Sequence, residues 1–443
     1  MRVWVPKLTP EIWALTELPN PAYEAELKLV ARGVKHRFDH RIDDTLFLWS
    51  LAGGGYMVPF GCVDTGDAWT GLPAMDWRAP SWLRPYQVEA VRACVGSVHG
   101  VIVAPCGSGK TQAGCGIIDA LTGGAVAGGR VLVLVHTADL LTQWVGRLKS
   151  VLGIDAAKGA GTKAWAKACQ GSAGVVVATV QTLTRADYLG AWDAVIIDEA
   201  HHCPARTYTE LLTRLEFRRI YGLTATPDRE DGMGAAMLAW LGPVRYTVDR
   251  AQLVEAGQTM TPAVCRVDTG CWTMASEYTQ MVTELSMQPA RDAIIWRQVM
   301  AHGAWPQVLL TLRVEHAEAL GAMAPDGVRV EVVTGAGKDR AAALARVASG
   351  ESQVLIATQL ADEGLDLPAL TAVHLTLPSR AAGRTEQRVG RIMRPSAGKA
   401  TPVVYDYTDD DTLCISQWRS RVKVYRSLGV TKWRHVKVEG ETK

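Results

Sequence analysis

The sequence predicts an α/β protein in which two domains, each built on a parallel β-sheet, follow a small α+β domain. Short apolar runs rich in β-branched residues alternate with segments of helical length over most of the chain. Runs of this kind are typical of parallel strands that are buried on both faces of a sheet. They form one series within residues 101–224 and, after a gap, a second series within residues 308–406. Two series of this length predict two α/β domains in tandem.

The regions outside the two series predict where the domains begin and end. Residues 1–80 mix short strand-like pieces with a run of three glycines, and we interpret them as the small N-terminal domain. The first α/β domain is expected at residues 81–243 and the second at residues 301–443. Residues 244–300 lack the alternation of strands and helices, so we expect them to connect the two α/β domains.

The composition excludes several classes of protein. Of the 443 residues, 48% are hydrophobic and 21% are charged, which excludes disordered and collagen-like chains. No apolar run approaches the ~18 residues that a transmembrane helix needs. Arg2, Lys7 and two early prolines argue against a secretory signal. The nine cysteines form no CxxC pair, and we therefore expect a cytoplasmic protein.

Positive charge is concentrated near the C-terminal end. The chain carries a formal net charge of +2, whereas residues 380–443 hold 14 Lys and Arg against 7 Asp and Glu, a difference of +7. In that region apolar residues recur at helical spacing from Ile415 to Leu428, and most of the cations lie off this apolar stripe. We therefore predict a basic C-terminal helix, and a basic surface indicates contact with a polyanion.

A glycine-rich segment follows the first predicted strand and precedes a predicted helix. Its residues are Pro105, Cys106, Gly107, Ser108, Gly109, Lys110 and Thr111. In this context glycines let backbone N–H groups turn toward phosphates, and the helix N-terminus adds partial positive charge. We expect Lys110 to reach the β- and γ-phosphates of a nucleotide, and Thr111 to offer its hydroxyl to Mg²⁺. Ala104 stands where the strict pattern has glycine, and this change removes no phosphate donor.

Two adjacent carboxylates end a later apolar run. Asp198 and Glu199 follow residues 194–197, about 90 residues after the glycine-rich segment. An acid at the carboxyl end of a buried strand is placed to hold the Mg²⁺ of a bound nucleotide. We expect Asp198 to be this ligand and Glu199 to orient and deprotonate the attacking water. The two segments together predict a P-loop domain that hydrolyses ATP.

With further motifs in the same order, these segments resemble superfamily 2 helicases of the DEAD/DEAH type over nearly all of residues 82–408. The resemblance implies two RecA-like domains. It implies that Arg84 and Gln87 bind the adenine, and that Gly364 and Asp366 of the fifth motif also contact the nucleotide. It implies nucleic-acid contact, or coupling of that contact to hydrolysis, for Thr137, Thr179, Gln181, Thr224, Thr226 and Thr358.

The sixth motif of this family is matched by residues 387–394. Gln387, Arg391 and Arg394 are implied as catalytic residues, the two arginines as arginine fingers. These arginines lie three residues apart on a predicted helix, so we expect them to share one face. Arg388 lies three residues before Arg391, and an alternative is that it is only a surface charge.

The branch of the superfamily is indicated by the triplet Arg229, Glu230 and Asp231. It resembles the RED motif of the XPB-type branch, whose members act on DNA, although a charged loop cap is an alternative. Residues 1–80 fit the small domain, expected to contact DNA, that this branch often carries. DEAH-box RNA helicases share the letters of residues 198–201 but usually carry further C-terminal domains. About 35 residues follow Asp406 here.

The sequence therefore predicts an ATP-dependent DNA helicase or translocase that acts in repair, recombination or replication. We expect ATP and Mg²⁺ as cofactors, and DNA as partner, with a duplex-containing or branched form preferred. An accessory protein or a nuclease is a further expected partner, and no membrane is expected. Alternatives are a DEAH-box-like RNA helicase, an ATP-gated DNA clamp or remodeller, and a restriction-type motor subunit that does not unwind.

Overall fold

The computed structural model describes most of the chain from residue 77 onward, together with five strands ahead of it. The described ranges are 77–105, 107–122, 129–203, 206–225, 233–275, 277–334, 340–358, 367–379, 382–396 and 398–437. The chain divides into two compact units, the first ending at Val248 and the second beginning at Asp249, except that residues 106–108 group with the second. No helix of the described ranges is both long enough and apolar enough to cross a bilayer.

The N-terminal strands pair in antiparallel fashion. They are β1 (Arg2–Val5), β2 (Glu17–Pro19), β3 (Thr45–Phe47), β4 (Ser50–Ala52) and β5 (Gly55–Pro59). β5 lies between β1 and β4, and β2 pairs with β3. The strand-like pieces of the sequence, at residues 2–5, 45–51 and 56–60, coincide with β1, with β3 and β4, and with β5, whereas β2 was not expected. Contact of this region with DNA stays a prediction.

The first unit contains a parallel sheet whose described part has seven strands. They are β6 (His99–Val103), β7 (Val131–Val135), β8 (Ala157–Gly159), β9 (Val175–Thr179), β10 (Ala191–Asp198), β11 (Glu216–Thr224) and β12 (Val244–Thr247). Their order in the sheet is β12-β6-β11-β10-β7-β9-β8. Every residue of β6 and β7 is buried, because helices cover both faces, and this explains their unbroken apolar sequences.

The helices of the first unit follow the strands in alternation. They are α1 (Pro85–Val95), α2 (Lys110–Ala120), α3 (Ala138–Leu152), α4 (Thr162–Gln170), α5 (Val180–Thr184), α6 (Arg206–Arg214) and α7 (Gly234–Leu241). Helix α3 shows why they begin and end where they do. The Thr137 hydroxyl accepts a hydrogen bond from the Leu140 N–H, and Gly153 ends the helix in the left-handed conformation.

The second unit repeats the parallel architecture. Its described strands are β13 (Ala263–Asp268), β14 (Gln307–Leu310), β15 (Val330–Val333), β16 (Val354–Ala357), β17 (Ala372–Leu375), β18 (Val403–Thr408) and β19 (Arg434–Lys437). Their order is β15-β16-β14-β17-β18-β13-β19. The helices are α8 (Arg250–Glu255), α9 (Tyr278–Leu285), α10 (Pro289–His302), α11 (Val314–Ala322), α12 (Arg340–Ser349), α13 (Ala382–Ile392) and α14 (Thr412–Ser427). The predicted fold class, two tandem parallel α/β domains, is confirmed.

Residues 244–300 differ from the expected connecting segment. β12 extends the first sheet, whereas β13, α9 and α10 belong to the second unit. The sequence pattern did not predict β13, because Arg266 interrupts the apolar run of this strand. Arg266 donates to Asp268 through Nε at 2.6 Å, and its guanidinium lies 5.3 Å from the Trp418 ring centroid, so this cation is accommodated on the sheet.

The predicted basic helix is α14, but one of its cations is not at the surface. Arg421 is 2% exposed and donates to both oxygens of Asp406, at 2.7 Å each, and to the Ser379 carbonyl at 3.0 Å. The Tyr425 hydroxyl donates to the same carboxylate at 2.5 Å. Asp406 lies on β18, so this ion pair fixes α14 to the sheet and to the segment that precedes α13.

We expect Arg421→Ala to destabilise the second unit by about 3–5 kcal/mol, because Asp406 would stay buried without its cation. Tyr425→Phe removes one hydroxyl and should cost about 1.5–3 kcal/mol. Hydrogen exchange of the β18 backbone, followed by mass spectrometry, measures these changes. Arg419 is exposed on the same helix, and Arg419→Ala should shift stability by less than ~0.5 kcal/mol. Equal effects of Arg419→Ala and Arg421→Ala would contradict the structural role of the ion pair.

Candidate nucleotide-binding site

The glycine-rich segment forms a loop between β6 and α2. Gly107 and Gly109 have φ of 85° and 81°, in the left-handed region that favours glycine. A Cβ on Gly109 would lie only 2.7 Å from Nε2 of Gln87. The loop therefore needs glycine both for its backbone conformation and for space, as a backbone cradle for phosphates requires.

Lys110, the first residue of α2, extends across this loop. Its Nζ lies 3.4 Å from the Ala104 carbonyl and 3.8 Å from Oε1 of Glu199. The ammonium group is therefore held between the start of the loop and the end of β10. An anionic group that enters the loop finds this cation beside the helix N-terminus.

Asp198 is buried at the end of β10, with 3% of its surface exposed. Trp144 Nε1 donates to its Oδ2 at 2.7 Å, and the Glu199 N–H donates to its Oδ1 at 3.0 Å. Burial and the neighbouring Glu199 carboxylate raise the pKa of Asp198 to about 6. Gly114 on α2 makes room for the indole, because a Cβ there would lie 2.4 Å from a Trp144 ring carbon. Sequence reasoning missed Trp144, since nothing in the pattern around α3 connects it to β10.

Glu199 has an unusual backbone conformation, with φ 49° and ψ 53°, which is uncommon for a residue other than glycine. Its Oε2 lies 3.4 Å from Nδ1 of His201. Burial alone would raise the pKa of Glu199, but Lys110 and three histidines hold it below the usual range. The histidines are His136, His201 and His202. Glu199 is therefore ionised at neutral pH, as a general base must be.

Gln87 contacts the loop rather than solvent. It is 3% exposed, its Oε1 accepts from the Arg84 N–H at 3.0 Å, and its Nε2 lies 3.4 Å from the Gly109 carbonyl. Arg84 itself is exposed and donates to the Tyr86 hydroxyl. Both residues thus lie beside the loop, and their contact with an adenine stays a prediction.

The residues predicted to contact or couple to nucleic acid lie at the carboxyl ends of β7, β9 and β11. The Gln181 amide donates to the His136 carbonyl at 3.0 Å, which joins the segments after β9 and β7. The Thr179 hydroxyl lies 2.8 Å from the Thr182 hydroxyl. The buried Thr224 hydroxyl lies 3.2 Å from Nδ1 of His201, so β11 is linked through His201 to Glu199.

Several predicted site residues lie outside the described residues. They are Cys106, Thr226, Arg229, Glu230, Asp231, Gly364 and Asp366, and the side chains of Gln387 and Arg391. Thr358 is described and lies buried just after β16. The roles that we gave to these residues stay predictions.

Two inferences about the sixth motif need correction. Helix α13 ends at Ile392, so Arg394 lies beyond it and does not share a helical face with Arg391. The reason is Pro395, because a residue before proline is disfavoured in the helical conformation. Arg388 is 4% exposed and is therefore not a surface charge.

Lys399 holds the segment after α13, and sequence reasoning missed it. Its Nζ donates to the carbonyls of Ile392 at 2.6 Å, Arg394 at 3.0 Å and Pro368 at 2.6 Å. The ammonium thus caps the carboxyl end of α13, where the helix dipole favours a cation. Burial and the neighbouring Arg394 lower the pKa of Lys399 to about 8.

Two segments of the chain match known families. Residues 81–229 match the family described as "Type III restriction enzyme, res subunit", and residues 297–396 match "Helicase conserved C-terminal domain". The first match contains the loop and both carboxylates of the site. The second contains α13 and ends three residues before Lys399.

Two similar proteins are named as a DNA helicase and a DNA translocase. The "DNA 3'-5' helicase XPB" of Kineococcus radiotolerans is 26% identical over 76% of this chain and 62% of its own length. The "DNA 3'-5' translocase XPB2" of Sulfurisphaera tokodaii is 36% identical over 37% of this chain and 35% of its own length. The chain therefore spans less than two thirds of either relative.

A solved structure shows the same fold. A variant of S. cerevisiae Dbp5, bound to RNA and ADP BeF3, is 15% identical, with a TM-score of 0.60 over 80% of this chain and 90% of its own. At this identity the comparison shows the tandem fold alone.

We expect Lys399→Met to lower ATP turnover about tenfold, the equivalent of one lost charge-assisted hydrogen bond, because the Ile392 carbonyl at the end of α13 and the carbonyls of Arg394 and Pro368 lose the ammonium that holds them together. Lys399→Arg keeps the charge and should restore part of the turnover. Lys158→Met, at an exposed lysine of the first unit, is the matched control.

The pH profile tests the same contact. Lys399 loses its proton as pH rises through about 8, so wild-type turnover should decline there. The arginine of Lys399→Arg stays charged, and its profile should lack this decline. Identical profiles for wild type and Lys399→Arg would contradict a role for the charge.

Proposed function

We propose that the chain is a superfamily 2 helicase of the XPB-type branch, and that it acts as an ATP-dependent DNA helicase or translocase. The two family matches and the similarity to proteins named XPB support this proposal. The protein couples ATP hydrolysis to movement along DNA or to strand separation, in repair, recombination or replication. Both relatives described above carry the polarity 3'-5' in their names, and we propose the same polarity here.

One observation carries the proposed hydrolysis: Lys110, Asp198 and Glu199 converge beside a glycine loop. Lys110 Nζ and the backbone N–H groups of the loop bind the phosphates and orient the γ-phosphate. Glu199 accepts the proton of the attacking water at a carboxylate oxygen. The water oxygen bonds to the γ-phosphorus while the bond to the β–γ bridging oxygen breaks, and ADP and phosphate leave. Arg391 and Arg394 keep the role of arginine fingers that the resemblance implies.

The oxygen atoms beside the loop are suitable ligands for Mg²⁺. Asp198 offers a carboxylate and Thr111 a hydroxyl, and Mg²⁺ prefers such ligands. Each oxygen of Asp198 already accepts one N–H, which leaves further lone pairs for an ion or its waters. When bound, Mg²⁺ neutralises charge on the β- and γ-phosphates. Trp144 then orients the ligand, because its N–H fixes the rotation of the Asp198 carboxylate.

The choice of DNA over RNA rests on the relatives, since the fold is shared with an RNA-bound protein. The Arg229–Asp231 triplet supports the same choice through its resemblance to the XPB-type branch. We propose a duplex-containing or branched DNA as the preferred form, and an accessory protein or nuclease as a further partner.

The test is the ATPase rate measured without nucleic acid and with single-stranded, duplex and forked DNA beside single-stranded RNA. DNA should stimulate hydrolysis more than RNA does, with forked or duplex DNA highest. Lys110→Ala should reduce the stimulated rate about 100-fold or more, since it removes a donor to the transferring phosphate. Stronger stimulation by RNA than by any DNA would refute the substrate, and undiminished turnover by Lys110→Ala would refute the nucleotide site.

We expect Trp144→Phe to raise the Mg²⁺ concentration for half-maximal ATPase about 10- to 100-fold, because it removes the donor that orients Asp198. A Mg²⁺ titration at fixed ATP measures the shift. Trp165→Phe is the control, since Trp165 is also buried and donates to a carbonyl, that of Tyr188. If both variants required the same Mg²⁺ concentration, the indole would have no role at the ion.

A further inference from the structure

The chain contains a long basic segment without acids that the proposed mechanism does not use. Residues 412–437 hold seven Lys and Arg and no Asp or Glu. The segment comprises α14 and the edge strand β19. One of the seven cations, Arg421, is neutralised by Asp406, so the remaining six decide what the segment presents.

Three of these cations form a row along α14. Arg419, Lys423 and Arg426 are all exposed and are separated by four and three residues, so they share one helical face. The row is about 10 Å long at 1.5 Å per residue. Lys432, Arg434 and Lys437 are also exposed, in the turn after α14 and on the edge strand β19. We name these six residues the α14–β19 surface.

Three described acids that lie near this surface in sequence or through strand pairing already have partners, whereas Glu439 and Glu441, which follow Lys437, lie outside the described residues. Asp411 caps α14 by accepting from the N–H groups of Leu413 and Cys414. Asp406 is bound by Arg421, and Asp268 accepts from Arg266 and lies against His435. Within the described ranges none of the six cations forms an ion pair with an acid. Within the described ranges, no ion pair therefore neutralises the positive charge of these six residues.

Structural roles explain only part of this charge. Arg426 lies in the last turn of α14, where the helix dipole favours a cation, and β19 cations protect an exposed sheet edge from pairing. Neither reason applies to Arg419 and Lys423, which lie in the middle of the helix. The row on α14 therefore carries the argument, and β19 extends it.

We propose that the α14–β19 surface binds the phosphate backbone of duplex DNA, as a contact additional to the helicase motifs. The proposal rests on the proposed function, because it takes DNA as the substrate. A duplex carries one negative charge per ~1.7 Å of its axis, so a 10 Å row of cations meets several phosphates. The indoles of Trp418 and Trp433 pack edge to face, with centroids 5.8 Å apart, and Trp418 is buried. The contact is thus with phosphates rather than with stacked bases, and it is independent of sequence.

The test compares two triple variants of the full chain. The first is Arg419→Gln with Lys423→Gln and Arg426→Gln. The matched control is Arg147→Gln with Lys163→Gln and Lys167→Gln, which removes the same charge from exposed positions of the first unit. Binding of a fluorescent duplex is measured by anisotropy at several salt concentrations, and ATPase is measured against DNA concentration.

The α14 variant should bind duplex about tenfold or more weakly, and the slope of log affinity against log salt should fall by up to about 2.7, at ~0.9 per lost phosphate contact. The DNA concentration for half-maximal ATPase should rise, while the rate at saturating DNA and the rate without DNA stay unchanged. The control variant should match wild type in all of these measurements.

Two results would overturn the proposal. If the α14 variant bound duplex DNA as tightly as wild type does, the surface would have no role in binding. The proposed function would still stand in that case, provided that DNA stimulated the ATPase of the wild-type protein. If wild type neither bound duplex nor was stimulated by DNA, the proposed function would fail and the surface proposal with it. Circular dichroism of both variants establishes that each is folded.

Discussion

The arrangement of both units depends on the burial of parallel strands on both faces. A sheet covered by helices on each side has no face exposed to solvent. Polar and charged side chains that act on a ligand therefore lie at the ends of the strands. In the first sheet β6, β11 and β10 are neighbours, although they are distant in sequence. Their carboxyl ends bring together the glycine loop, Thr224 and the pair Asp198 and Glu199. The chemistry of the site is therefore a consequence of strand order.

Charges buried within the strands of both sheets or at their ends need partners that the fold itself supplies. Asp198 receives an indole N–H and a backbone N–H, while Asp406 receives a guanidinium and a phenol. In the second unit Arg291 also binds both oxygens of Asp409 from α10, at 2.8 Å and 3.1 Å. Removal of one partner leaves a charge in a medium of low polarity, which is costly. The contacts of Trp144, Arg421 and Arg291 thereby each fix a helix to a strand or to the residue that follows it.

The parts of the structure that could be predicted are those encoded by local pattern. Unbroken apolar runs predicted five of the seven described strands of each sheet but not β8, β12, β13 or β19. The glycine loop and the carboxylate pair predicted the candidate site. The contacts of Trp144 with Asp198 and of Lys399 with Pro368 could not be predicted, because they join residues 54 and 31 positions apart that only the folded chain brings close. β13 was hidden by Arg266, whose neutralisation depends on Asp268 and Trp418. In contrast, Pro395 is a local signal that the helix ends before Arg394. We gave more weight to the separation of Arg391 and Arg394 by three residues, which is typical of a helix.

At Glu199 the backbone conformation lowers the stability of the fold, whereas the side chain is needed for the proposed catalysis. A left-handed conformation costs a residue with a side chain about 1–2 kcal/mol, and glycine would relieve most of that cost. Glycine would also remove the carboxylate that we propose as the general base. Selection for a more stable chain and selection for a faster enzyme therefore favour different residues here. A programme of directed evolution that screened only for thermal resistance would tend to accept substitutions at this position that abolish the proposed hydrolysis.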